Sequence, residues 1–181
     1  NSSVMNTTPQ QLIVISGRSG SGKSTALHVL EDLGYYCIDN LPASLIPNLV
    51  DRTKEQGLSS KIAVSIDARN SSIDLERFPE AVATIKDVEI RVIFLDASGP
   101  TLIKRFSETR RKHPLSDHQL GLKEALEVES HLLDGLAMMA SLKIDTTQMT
   151  LHELRDVVRD RVANSSQENT LMFQSFAFKH G

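Results

Sequence analysis

The residues with the clearest chemical signature form the stretch GRSGSGKST, which runs from Gly17 to Thr25. Its spacing matches the phosphate-loop pattern G-x-x-x-x-G-K-[ST], with Gly17, Gly22, Lys23 and Ser24 in the fixed places. Glycine tolerates the backbone torsions that turn successive N–H groups toward one point, and such groups bind anions. In this pattern the lysine reaches the β- and γ-phosphates, and the serine hydroxyl is a ligand of Mg²⁺. The stretch therefore predicts a site for the phosphates of a nucleotide.

We expect every residue of this loop to contribute to the nucleotide site. The predicted contacts are Gly17, Arg18, Ser19, Gly20, Ser21, Gly22, Lys23, Ser24 and Thr25. Arg18 adds a second cation to the loop, and the sequence does not set the direction of its side chain.

Two strand-like runs end in aspartates that are candidates for the metal side of the site. VSID at 64–67 has the form of a Walker B strand, whose terminal carboxylate holds Mg²⁺ directly or through water. Asp39, in CIDNLP, is its rival on the strand after the loop helix. We favour Asp67, with Ser24, as the metal-binding pair, and both aspartates are expected to face one cavity. If the domain catalyses a reaction, Lys23, Asp67 and Asp39 are the candidate catalytic residues.

The segment KRFSETRRKHP, at 104–114, carries five basic residues and one acidic residue. One interpretation is a lid whose arginines close over the phosphates, as in small P-loop kinases. A second is a patch that binds the RNA backbone, and a third is an ordinary solvated helix. We expect Arg105, Arg110 and Arg111 to be nucleotide-binding lid residues, because aromatic residues to stack bases make up only 4% of the chain.

These residues need a scaffold that gathers them at one edge, and the hydrophobic pattern predicts one. Strand-like runs occur at QLIVIS (11–16), YYCID (35–39), KIAVSID (61–67), IRVIFLD (90–96) and SLKIDTT (141–147). Helix-like segments lie at 23–34, Pro42–Gln56, Ser72–Lys86, Pro100–Arg111, Leu122–Met139 and Thr150–Val162. Such alternation predicts an α/β, three-layer P-loop fold of the NTPase or kinase type with a mostly parallel five-stranded sheet. Ligands of such sheets gather at the carboxyl ends of the strands.

Composition narrows the class of protein further. The 181 residues are 40% apolar and 24% charged with a net charge of −3, which is typical of a soluble globular chain. We find no apolar run of membrane-spanning length and no signal peptide, and the single cysteine, Cys37, excludes an internal disulfide. These features predict a cytoplasmic protein. The net negative charge argues against nucleic-acid binding over the whole surface.

The chain divides into three parts. Residues 1–10 are polar and unpatterned, and we expect a disordered segment or residues left from cloning. Residues 11–165 form the predicted P-loop nucleotide-binding domain. The stretch 166–181 ends in FQSFAFKHG and is strand-like, which predicts a connection to a further C-terminal domain.

Several motifs occur together in a characteristic order. They are the loop VISGRSGSGKS, YYCIDNLP, SIDARN, FLDAS, TLIKRFSETRRKHPLS, IDTT followed by T-x-H-E-L, and FQSFAFKHG. In this order they closely resemble the N-terminal domain of the RapZ/YvcJ-like bacterial P-loop proteins, over residues 11 to 181. The combination of DNLP, R-R-x-H-P-L and the terminal F-x-F-K-H-G carries most of the specificity.

This resemblance implies properties that the residues alone do not. Family members bind ATP and GTP, some with weak hydrolysis; Gly17–Ser24 matches the ATP segment, and Asp67, Ala68, Arg69 and Asn70 match the GTP segment. Ala68 departs mildly from the larger apolar residue expected there. In one branch the whole protein is an RNase adapter that presents a small regulatory RNA to RNase E in the control of amino-sugar synthesis. The RNA site belongs to a C-terminal domain, and we expect the full-length protein to be oligomeric.

Two other functions remain open at this stage. The fold permits a small-molecule kinase, for which Asp39 is the candidate base, and it also permits a stand-alone weak NTPase. We expect weak hydrolysis at most and no dedicated transferase activity.

Overall fold

The computed structural model describes residues 10–55, 61–109, 113–115 and 121–165, with side chains up to residue 163. Three sets of predictions lie outside the described residues: the leading segment up to residue 9, Arg110 and Arg111 of the basic segment, and the strand-like connection at 166–181.

A five-stranded sheet forms the centre of the domain. Its strands are β1 (Gln10–Gly17), β2 (Tyr36–Ile38), β3 (Lys61–Ile66), β4 (Val88–Asp96) and β5 (Leu142–Asp145). They lie in the order β2-β3-β1-β4-β5, and every adjacent pair is parallel. The predicted strands all occur, in one sheet, which confirms the α/β class.

The helices differ more from the prediction than the strands do. They are α1 (Lys23–Asp32), α2 (Ile46–Glu55), α3 (Ser72–Glu76), α4 (Phe78–Ala83), α5 (Gly99–Thr109), α6 (Leu122–Leu132), α7 (Asp134–Met139) and α8 (Leu151–Ser165), with a 3₁₀ turn at Ala43–Leu45. Two segments that we expected to be single helices are each broken in two. The break at Arg77 precedes Pro79, which has no N–H to donate inside a helix, and the break at Leu133 precedes Gly135, a weak helix former.

Alternate residues of β1 build two separate cores. Leu12 and Val14 pack with α2, α3, α4 and α7 on one face, and Ile13 and Ile15 pack with α1 and α8 on the other. All four side chains have no solvent exposure. A strand that is covered on both faces favours apolar side chains at consecutive positions, which explains the run from Leu12 to Ile15.

The register of the sheet brings the candidate residues to one edge. Ser16 of β1 pairs with Ile66 of β3, so Gly17 begins the loop next to the strand that ends before Asp67. Ile38 of β2 pairs with Val64, which places Asp39 beside Ser65. Within the described ranges, no helix has the length and apolar character of a membrane span.

Candidate phosphate-binding site

The loop between β1 and α1 curls around the start of the helix. Gly17, Gly20 and Gly22 have φ angles of 146°, 89° and 115°, in the region that favours glycine. Neither a side-chain cap nor an acidic residue occupies the first turn of α1. The N–H groups at the start of this helix are therefore available to an anion, and the helix dipole favours one there.

Seven consecutive residues of the loop, Ser19–Thr25, line a cavity of about 900 Å³. Asp39, Asp67, Arg69 and Arg105 contribute to the same cavity. The loop and both aspartates that the sequence singled out thus meet at one site, as the strand order requires.

Lys23 lies inside this site. Among the residues that the structure describes, no carboxylate accepts a hydrogen bond from its ammonium group. Its Nζ donates to the backbone carbonyl of Gly17 at 2.8 Å. Burial lowers the pKa of Lys23, while the carboxylates of Glu129, Asp67 and Asp39 act in the opposite direction. A phosphate bound at the loop would give this desolvated ammonium group a direct counter-charge.

The two candidate metal-side carboxylates have different hydrogen-bond partners. Asp67 is almost fully buried. Its carboxylate accepts hydrogen bonds from Nε and Nη2 of Arg69, and the shortest of these is 2.6 Å. Burial by itself raises the pKa of Asp67, but the hydrogen bonds from Arg69 outweigh it and hold that pKa below its usual value. Asp39 Oδ1 accepts from the Ser65 hydroxyl at 2.6 Å.

These groups suit a magnesium ion held largely by phosphates and water. Mg²⁺ prefers oxygen ligands and is commonly held by one or two carboxylates or hydroxyls together with the substrate phosphates. Ser24 and Asp67 offer such oxygens to the cavity. Among the described residues, no three His, Cys, Asp or Glu side chains are grouped as a dedicated metal cage would need.

Several residues of the predicted site face other parts of the fold. Arg18 pairs with Asp96 at 2.9 Å and donates to the Ala97 carbonyl, so the structure directs it to the end of β4. Asn70 accepts from the Ala43 N–H and donates to Asn40 Oδ1, which ties the chain after β2 to the chain after β3. Ala68, from the same tetrapeptide, is buried.

Arg105 is held against the loop by several hydrogen bonds. Its Nη1 donates to the Gly20 carbonyl at 2.9 Å and to the Thr146 hydroxyl at 3.0 Å, and its Nη2 donates to the Thr146 carbonyl. The structure thus assigns Arg105 a contact with the loop backbone, and its contact with the phosphates stays a prediction.

Three residues for which the sequence predicted no role at the site also hold the loop. Thr146, after β5, donates from its hydroxyl to the Ser21 carbonyl at 2.9 Å. Glu129, on α6, accepts from Ser19, and His113 contacts Glu129 in turn. Glu129 leaves a trace in the sequence because a charged residue stands on the buried stripe of its helix, and His113 is the histidine of the R-R-x-H-P-L motif.

The sequence of this chain matches a known protein family. The family model described as the RapZ-like N-terminal domain matches residues 10–166. A nucleotide-binding protein of Hahella chejuensis is 53% identical over 176 residues, which are 94% of this chain and 62% of that protein. A nucleotide-binding protein of Pseudomonas aeruginosa is 52% identical with the same coverage. The chain thus spans about three fifths of the length of these curated relatives.

Solved structures agree on the fold. Shikimate kinase from Acinetobacter baumannii superimposes with a TM-score of 0.56 at 17% identity, covering 94% of this chain and 99% of that one. Thymidylate kinase from Candida albicans gives a TM-score of 0.53 at 12% identity, covering 88% and 94%. These kinases share the α/β P-loop architecture at identities too low to transfer an activity. The match of the family model to most of the chain shows that this chain belongs to the RapZ-like N-terminal domain family.

Proposed function

We propose that this domain binds ATP or GTP with Mg²⁺ in the cavity at the carboxyl edge of its sheet. The observation that carries the proposal is the continuous lining of that cavity by Ser19–Thr25, with the partly buried Lys23 among them. The loop amides and Lys23 would bind the phosphates, while Ser24 and Asp67 would hold the metal ion. The relatives from Hahella chejuensis and Pseudomonas aeruginosa are both named nucleotide-binding proteins, which supports the same conclusion.

The remainder of the cavity wall suits a base and a sugar. Met149 and Leu151 contribute apolar surface, and Thr150 contributes a hydroxyl group. A few polar groups set among apolar side chains are typical of sites for small organic ligands. These residues belong to α8 and to the turn between β5 and α8, whereas Asp67, on the metal side, follows β3.

We infer that the domain serves a regulatory role in a longer, cytoplasmic and oligomeric protein. In this proposal the whole protein is an RNase adapter that presents a small regulatory RNA to RNase E, in the control of amino-sugar synthesis. Membership of the RapZ-like family supports it, and the part of the relatives that this chain does not span would carry the RNA site. Arg105, Arg110 and Arg111 would then act on nucleotide rather than on RNA.

Titration calorimetry with ATP and with GTP, in the presence and absence of Mg²⁺, tests the nucleotide proposal. We expect Asp67→Asn to weaken the magnesium-dependent part of the affinity, because the variant loses the charge that favours the metal. Asp39→Asn is the matched comparison at the same edge of the sheet. Loss of the magnesium effect in Asp39→Asn alone would exchange the roles of the two carboxylates. Binding of neither nucleotide by the wild-type protein would contradict the proposed function.

A gel-shift titration of this chain with the regulatory RNA tests where RNA is recognised. We expect weak or absent binding near physiological salt, because one short basic segment in a chain of net charge −3 offers few phosphate contacts. Tight, salt-sensitive binding that is lost on replacing Arg110 and Arg111 would instead make this segment the RNA platform.

A small-molecule kinase is the second candidate, favoured by one observation. Asp39 lines the same cavity as Lys23, where a base would activate an acceptor hydroxyl. An acceptor-dependent release of nucleoside diphosphate, abolished by Asp39→Asn, would distinguish a kinase from a regulatory domain.

A further inference from the structure

A buried carboxylate lies directly behind the phosphate-binding loop. Glu129, on α6, has no solvent exposure, and its two oxygens accept three hydrogen bonds. Ser19 supplies its N–H at 2.9 Å and its hydroxyl at 2.8 Å, and His113 Nε2 lies 2.8 Å from Glu129 Oε1. Buried carboxylates are costly unless hydrogen-bonded in this way, so the arrangement depends on all of its donors.

The hydrogen bonds of His113 determine which of its nitrogens carries the proton. Its Nδ1 accepts from the Leu115 N–H at 3.0 Å, so the proton of the neutral ring is on Nε2. The imidazole can therefore donate to Glu129 without being charged. Burial raises the pKa of a carboxyl, but the donors from His113 and Ser19 outweigh it and hold the pKa of Glu129 below its usual value.

The same group of residues connects the loop to α5. The rings of His113 and Phe106 are 5.4 Å apart, and Phe106 lines the cavity. A Cβ placed on Gly20 would lie 3.4 Å from the Phe106 ring and from Leu102. Ser19 and Gly20, at the entrance of the loop, are thus held between a carboxylate on one helix and apolar side chains on another.

We propose that Glu129 is a positioning residue of the phosphate-binding loop, and that His113 positions Glu129. Glu129 holds the backbone N–H and the hydroxyl of Ser19, and in this way sets the conformation from which Gly20–Thr25 line the cavity. This inference rests on the proposed function, because its effect is on nucleotide affinity. Glu129 does not touch the nucleotide in this proposal.

Whether nucleotide binding weakens or tightens when Glu129 is neutralised distinguishes a positioning role from a purely electrostatic one. Glu129 is a negative charge near Lys23, and its Coulomb interaction with that lysine is favourable. If the carboxylate acted through charge alone, its neutralisation would make the site more positive and would tighten the binding of an anion. If it positions the loop, its neutralisation weakens binding.

The decisive measurement compares Glu129→Gln with Glu127→Gln, an exposed residue of the same helix. In Glu129→Gln one carboxylate oxygen becomes an NH₂ group, which either faces a donor or forces the Ser19 hydroxyl to turn and accept. In both cases the hydrogen bonds that remain lose the negative charge of their acceptor. We expect the Kd for Mg²⁺-ATP, measured by calorimetry on the full chain, to rise about tenfold, as the loss of one to two charge-assisted hydrogen bonds would produce. Glu127→Gln should match the wild type. An unchanged or tighter Kd in folded Glu129→Gln would overturn the proposal.

A pair of His113 variants provides a second test, which remains valid if Glu129→Gln does not fold. His113→Gln keeps an N–H donor for Glu129 and should retain affinity within about twofold, whereas His113→Leu removes the donor and should weaken binding severalfold. Equal affinities in the two variants would contradict the proposal. This rescue by a donor is not expected of a residue that only fills space.

Hydrogen exchange of the nucleotide-free wild-type protein separates this proposal from the proposed function. We expect the Ser19 amide to be protected, since it donates to a buried carboxylate. Fast exchange would overturn the positioning role whether or not the domain binds nucleotide. If the Ser19 amide is protected but the protein binds neither ATP nor GTP, the contacts among Ser19, Glu129 and His113 are present. That result would contradict only the proposed function.

Discussion

Replacement of Lys23 by methionine is expected to weaken the binding of Mg²⁺-ATP at least tenfold. The ammonium group is partly buried at the loop and would form charge-assisted hydrogen bonds with the β- and γ-phosphates, each of which contributes about 1.5–3 kcal/mol. Methionine has a similar length and preserves the packing of α1. Calorimetry measures the change, and Lys123→Met, an exposed lysine on α6, is the control that should bind as the wild type does. Unchanged affinity in Lys23→Met would exclude the loop as the phosphate site.

The same variant has a second, pH-dependent consequence in the nucleotide-free protein. Burial lowers the pKa of Lys23 from its ordinary value of 10.5, so the unfolded chain binds more protons than the folded chain between the lowered pKa and 10.5. The free energy of unfolding of the wild type therefore gains a contribution as the pH rises through that window. Lys23→Met lacks this contribution, so the difference in stability between the two proteins should change with pH there. Urea unfolding at several pH values measures it.

Gly17→Ala is expected to destabilise the fold more than any other glycine-to-alanine change in the loop. An added Cβ would lie 2.0 Å from the backbone carbonyl oxygen of Leu95, on the adjacent strand β4. The φ of 146° adds torsional strain. Strain and overpacking each cost about 1–3 kcal/mol, so a loss of about 3 kcal/mol or more in the free energy of unfolding is expected.

Gly34→Ala is the matched control for this prediction. Gly34 also has a positive φ, 97°, but a Cβ there would meet nothing within 4 Å. Its substitution isolates the torsional cost, which is about 1 kcal/mol for a left-handed residue. Denaturant unfolding that gave equal losses for the two variants would show that the contact with Leu95 is relieved by a shift of the strand.

The sheet was predictable because its signal is local. Strands that are covered on both faces appear as short apolar runs, and all five runs became strands. Their bounds were less certain: β4 begins at Val88, two residues before the predicted run, and β2 is only Tyr36–Ile38. The helix breaks at Arg77 and Leu133 were missed because the apolar spacing continues across them.

The part of the site that lies in one continuous segment, the phosphate-binding loop, could be predicted from the sequence. The loop is continuous in sequence, so its spacing identified it, and the aspartates were found because strand ends share an edge. The supporting contacts join distant segments: Glu129 reaches Ser19, and Thr146 reaches Ser21. Spacing within a segment carries no information on such pairs. Two signals were available: a glutamate four residues from each of the buried residues Ala125 and Leu133, and the histidine of the R-R-x-H-P-L motif. Neither identified its partner.

The central position of β1 has a consequence for the order in which the domain is made. Both strands that flank β1 come later in the chain, at residues 61–66 and 88–95, and the contact of the loop with Thr146 comes later still. A chain that emerges from the ribosome therefore carries its phosphate loop before the neighbours that shape this loop have been synthesised. Contacts between such distant segments form slowly and depend on prior closure of long loops. Nucleotide affinity should consequently be among the last properties that the nascent domain acquires, so that binding reports a completed sheet.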